Sequence, residues 1–167
     1  KRIIISALLA VVCTLSALAQ DAIALRQDLL QPGTQAPDFT LADPDGTRHS
    51  LSSMRGSYVV LDFCFMVSRL PQGHTGNEEL HAKYGQNIKF VSVSFDDKKD
   101  NWTRCISSNK MDWLHLSELK VEQTEVSRLY NVKWIPAMYI IDRQGQVILS
   151  TVMVEKLAAK LKELHEL

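Results

Sequence analysis

The sequence predicts an α/β domain with a central mixed sheet, helices on both sheet faces and an N-terminal β-hairpin. Three observations carry this. Residues 57–65 and 88–95 are near-continuous runs of strand formers, as central strands covered on both faces require. Ala137-Met138-Tyr139-Ile140-Ile141 and Gln146-Val147-Ile148-Leu149 flank the turn Asp142-Arg143-Gln144-Gly145, short enough to require antiparallel pairing. Val154, Leu157, Ala158, Leu161 and Leu164 then share one helical face among Lys156, Lys160, Lys162 and Glu163.

The remaining elements follow in order. Lys1 and Arg2 precede an apolar run, Ile3 to Leu18, and Ala17-Leu18-Ala19 supplies the small-x-small pattern of a cleavable leader. A short membrane anchor is the alternative, since about 20 apolar residues span a bilayer. The small residues at the end of the run and the lack of a flanking basic cluster favour cleavage. Residues 1–19 are thus read as a signal peptide, 20–32 as a lead-in and 33–167 as one domain. Phe39–Leu41 and Arg48–Leu51 flank Asp43-Pro44-Asp45-Gly46, a strong turn, and form the hairpin. Helices are expected over 72–84, about 98–109 and about 121–130, with Gly73 and Gly76 loosening the first of them.

Composition narrows the function classes. The 19 basic residues equal the 19 acidic ones, and removing Lys1 and Arg2 leaves a slight acidic excess. That balance argues against nucleic-acid and anionic-membrane surfaces, which need a basic stripe. No membrane span is expected after leader cleavage. Beyond Cys13, which falls in the leader, only Cys64 and Cys105 are present, too few for a disulfide framework. A Cys64–Cys105 bridge stays open, because sequence does not give the separation it requires. No cofactor signature is present, and none is expected.

Particular residues carry a family resemblance. Gly33-x-x-Ala36-Pro37-Asp38-Phe39-Thr40-Leu41, Asp45-Gly46, and Arg55-Gly56 leading into Val59-Val60-Leu61-Asp62-Phe63 form its first half. Tyr130-Asn131-Val132, Ile135-Pro136, Ile140-Ile141-Asp142 and Gly145 form its second. Together they resemble the exported TlpA/ResA-type thiol–disulfide oxidoreductases, relatives of the AhpC/TSA group, over about residues 33–166. The resemblance implies a thioredoxin-like fold, a periplasmic or secreted location, and a cis proline at Pro136 whose preceding backbone pairs with an extended substrate segment.

The chain departs from this family at the chemistry. Where the family carries Cys-x-x-Cys at the start of a helix, this sequence reads Ser68-Arg69-Leu70-Pro71. Disulfide exchange needs an attacking thiolate and usually a resolving thiol. A serine hydroxyl does not substitute without a neighbouring base, and no His or Lys adjoins Ser68. Ser68 suits a helix N-cap and Pro71 a first helical turn. Arg69 suits either an acidic partner or plain solvation.

The alternative nucleophile is Cys64, on the same strand face as Asp62 two residues before it. By resemblance Asp62 matches the buried proton-transfer acid of many thioredoxins; as an anion it would disfavour a nearby thiolate. A buried cysteine is more often an inert small hydrophobe. The peroxidatic pattern is absent, because Leu61-Asp62-Phe63 precedes Cys64. Trp134, Ile135 and Pro136 are the candidate binding groove for a peptide or protein partner, by strand addition. His74, Glu78 and His81 share a face only if one helix contains all three; no metal site is assigned to them.

Overall fold

The computed structural model describes residues 29–65, 76–121 and 124–166. The leader read at residues 1–19 and most of the lead-in lie outside these. Seven strands form one sheet: β1 (Thr40–Ala42), β2 (Arg48–Ser50), β3 (Tyr58–Cys64), β4 (Ile88–Ser94), β5 (Leu114–Ser117), β6 (Ala137–Ile141) and β7 (Val147–Thr151). Their order is β2-β1-β5-β4-β3-β6-β7. The helices among the described residues are α1 (Asn77–Tyr84), α2 (Lys99–Ser108), α3 (Glu125–Leu129) and α4 (Val154–His165), with a 3-10 turn at Ser52–Met54. This is the thioredoxin-like α/β fold. None of these helices is long and apolar enough to cross a membrane.

Alternation along β3 divides the core. Val59, Leu61 and Phe63 face one side, where they pack with Val126 of α3 and with Phe39, Tyr130 and Tyr139. Val60 faces the other side, against Leu80 of α1 and Leu157 and Leu161 of α4. Each of those α4 leucines is fully buried, a contribution of about 1.5–3 kcal/mol apiece. β3 pairs in parallel with β4 and antiparallel with β6, so its whole length lies inside the sheet. That explains its apolar run: neither face and neither edge meets water.

The expected hairpin forms, with Thr40 opposite Ser50 and Ala42 opposite Arg48. The last two strands pair antiparallel, with an irregularity at Ile140/Ile141. Two features differ from expectation. β5, a four-residue strand between β1 and β4, carries no sequence signal, because His115 and Ser117 are polar although buried. The packed unit also begins earlier than residue 33: Leu29 is buried in the larger core cluster, and Gly33 N–H donates to the Val147 carbonyl at 2.8 Å.

Two tyrosines tie these layers together. The Tyr139 hydroxyl on β6 donates to the Tyr130 carbonyl, and the Tyr130 hydroxyl donates to the Pro37 carbonyl at 2.7 Å. Burial pushes both phenols well above their ordinary range, so both remain protonated donors. Removing the first donor orphans a carbonyl in a closed aromatic core. Tyr139→Phe is therefore expected to destabilise the protein by about 1–2 kcal/mol, read from the midpoint of urea unfolding at constant m.

Candidate functional site

The candidate site lies at the C-terminal ends of the parallel strands, where open α/β sheets place their ligands. Phe63 of β3 pairs with Ala137 of β6, which sets Pro136 beside the end of β3. The Ile135–Pro136 bond is cis, as the family resemblance implies. The Phe95 N–H donates to the Cys64 carbonyl at 3.0 Å, joining the ends of β3 and β4. Serines order the next turn: Ser94 Oγ donates to Asp96 Oδ2 at 2.6 Å, and Ser117 Oγ donates to the Ser94 carbonyl at 2.9 Å.

A groove of about 850 Å³ opens beside this edge, walled by Phe65, Phe95, Val121, Val132, Trp134 and Ile135. Its floor continues the aromatic core. Phe65 meets Phe95 edge-on with centroids 6.0 Å apart, and Phe95 stacks on Phe63 at the same separation. Phe63 in turn touches Tyr130 at 5.4 Å. One side is formed by α3. Its N-terminus is fixed by Thr124, whose Oγ1 accepts from Ser127 N–H at 3.0 Å. The Glu118 carboxylate accepts from Val126 N–H at 3.1 Å. The other side is the segment before Pro136, where the Trp134 ring is 69% exposed.

Ser68, Arg69, Leu70 and Pro71, together with His74, lie outside the described residues. Asp62 and Cys64 are within them. Both are buried at 3% exposure and project from the same face of β3. Asp62 is opposite Ser92, and Ser92 is opposite His115, so three buried polar residues from adjacent strands form one row. Trp113 Nε1–H donates to Ser92 Oγ at 2.9 Å and its ring lies 5.0 Å from that of His115. Ser92 and His115 are absent from the sequence-based candidates. Pairing with β5 is what aligns them with Asp62, and β5 gives no sequence signal.

Cys64 Sγ–H donates to the Val93 carbonyl at 3.9 Å. Cys105, on α2, is likewise a buried thiol, and neither cysteine is in a disulfide. Glu78 and His81 lie on α1, whose N-terminus is set by Gly76, and His74 is outside the described residues. Gly76 has φ of 77°, a left-handed conformation that no α-helix passes through, and α1 starts after it. His81 pairs with Asp112 at 3.2 Å, its ring 4.9 Å from Trp113 and 5.2 Å from Phe90. Among the described residues, no group of three or more His, Cys, Asp or Glu is arranged to hold a metal.

The fold and its cis proline define a thioredoxin-like protein. The chain belongs to the AhpC/TSA family, whose profile matches residues 32–150. It is 28% identical over 122 residues to the thioredoxin-like protein YneN of Bacillus subtilis, covering 71% of this chain and 69% of that one. It is 25% identical over 146 residues to the thiol-disulfide oxidoreductase ResA of the same organism, covering 84% and 78%. A solved thiol-disulfide oxidoreductase from Bacteroides fragilis superposes with a TM-score of 0.71 at 24% identity, over 78% of this chain and 99% of that one, a likeness of fold.

The burial of Cys64 and Cys105 predicts their reactivity. In the folded protein both thiols should react with a bulky maleimide at least about tenfold more slowly than after unfolding, because access requires local opening. Peptide mapping after timed labelling checks this. Labelling of Cys64 at its unfolded rate would show that the end of β3 is open.

Proposed function

We propose that this is an exported, peptide- or protein-binding thioredoxin-like domain that lacks disulfide-exchange chemistry at the family's usual position. The observation that carries this reading is Trp134, an indole left 69% exposed on a groove it shares with apolar Phe65, Phe95, Val121, Val132 and Ile135, alongside polar Ser127, Arg128, Asn131 and Lys133. Exposed aromatic surface beside a concave apolar wall marks an interaction site, and tryptophan is the residue most enriched among binding hot spots. The backbone just before the cis Ile135–Pro136 bond is where the family resemblance implies pairing with an extended segment.

Loss of exchange chemistry is supported by residue type. Residues 65–76 contain no cysteine, and the nearest thiol, Cys64, is buried. Serine and proline at the two motif positions offer neither an attacking thiolate nor a resolving one. Export is supported by the leader-like residues 1–19. The partner is then read by shape and backbone pairing rather than by a transient mixed disulfide.

Selection from a displayed random-peptide pool tests the groove. Peptides retained by the full chain should compete with one another and lose about thirtyfold in affinity to Trp134→Ala, the effect of a hot spot worth about 2 kcal/mol. Val132→Asp should weaken the same peptides by desolvating a carboxylate against apolar surface. Peptides that bind both variants as tightly as the parent would place recognition elsewhere and overturn the proposal.

A further inference from the structure

Cys64 and Cys105 are 41 residues apart in sequence, yet they share a satellite cluster with Trp102 and Met111, separate from both larger cores. Each is 3% exposed. Cys64 ends the central strand, and Cys105 faces inward from α2, which covers the same side of the sheet. Each sulfur has a polar contact. Asn109 Nδ2–H donates to Cys105 Sγ at 3.4 Å, an interaction that favours the thiolate. Cys64 is itself the donor, to the Val93 carbonyl, which favours retention of its proton.

We propose that Cys64 and Cys105 form an oxidisable dithiol that closes to an internal disulfide, at a site distinct from the family's Cys-x-x-Cys position. The oxidant is a small peroxide such as hydrogen peroxide, which passes where bulkier reagents do not. Cys105 loses its proton first, and its thiolate attacks one peroxide oxygen. The O–O bond breaks, and the departing hydroxide takes up a proton as water, leaving a sulfenic acid on Cys105. The Cys64 sulfur then attacks the Cys105 sulfur. The S–O bond breaks, and hydroxide leaves with the Cys64 proton as a second water. In sum, two thiols give up two electrons and two hydrogens, and one peroxide becomes two waters. The bridge fastens α2 to the end of β3, next to Phe65 at the groove wall.

The test uses the full chain carrying Cys13→Ser, exposed to hydrogen peroxide, then unfolded in an alkylating agent and mapped by mass. The expected result is joint loss of both thiols, a linked peptide pair containing residues 64 and 105 in the monomer, and full recovery with a phosphine reductant. Trp102 packs in the same cluster, so tryptophan emission should fall with the same time course. Both thiols still alkylatable, one cysteine overoxidised while the other remains reduced, or a linked dimer would each overturn the proposal. Cys105→Ala should leave Cys64 alkylatable after the same exposure. Unchanged loss of the Cys64 thiol in that variant would overturn the assignment of Cys105 as first nucleophile.

Discussion

The hydroxyl of Tyr139, donating to the backbone of Tyr130, holds the segment that carries Trp134, Ile135 and Pro136 against the middle of the sheet. Tyr139 is fixed by its place on β6, where it pairs with Leu61. Tyr130 passes the constraint outward, its own hydroxyl reaching the Pro37 carbonyl. Phe63 packs against both rings and continues through Phe95 to Phe65. The floor of the groove is therefore the outer end of the core. Its shape depends on packing between residues far apart in sequence.

That separation makes the chain's combination of features coherent. A thioredoxin-like scaffold positions a reactive pair at the start of a helix and a receptive backbone at the cis-proline edge. The two functions use different residues, so one can be lost while the other keeps its frame. Here the parallel strand ends, the cis Ile135–Pro136 bond and an aromatic floor are all present. The motif positions hold Ser68 and Pro71.

Much of this was legible in the sequence because long-range packing leaves local traces. β3 and β4 lie in the middle of the sheet and read as largely apolar runs. α4 covers only one face and reads as an amphipathic stripe. What was not legible depends on partners. His115 and Ser117 look like loop residues until β4 pairs with them, and the buried row Asp62–Ser92–His115 exists only through that pairing. His81 looks like a candidate ligand in one dimension, whereas in three it is enclosed by Asp112, Phe90 and Trp113. Gly76 was visible as a weak helix residue, but its left-handed φ, which ends helical continuity there, is a property of the folded chain. The Cys64 and Cys105 positions likewise come together only through the packing of α2 on the sheet.

The function proposed above, the family's frame without its exchange chemistry, is decided by turnover of a protein disulfide by the full chain, with a dithiol reductant supplied, beside Cys64→Ala. No turnover above the reductant alone is expected in either protein. Turnover that disappears with Cys64→Ala would contradict it and make Cys64 a working nucleophile.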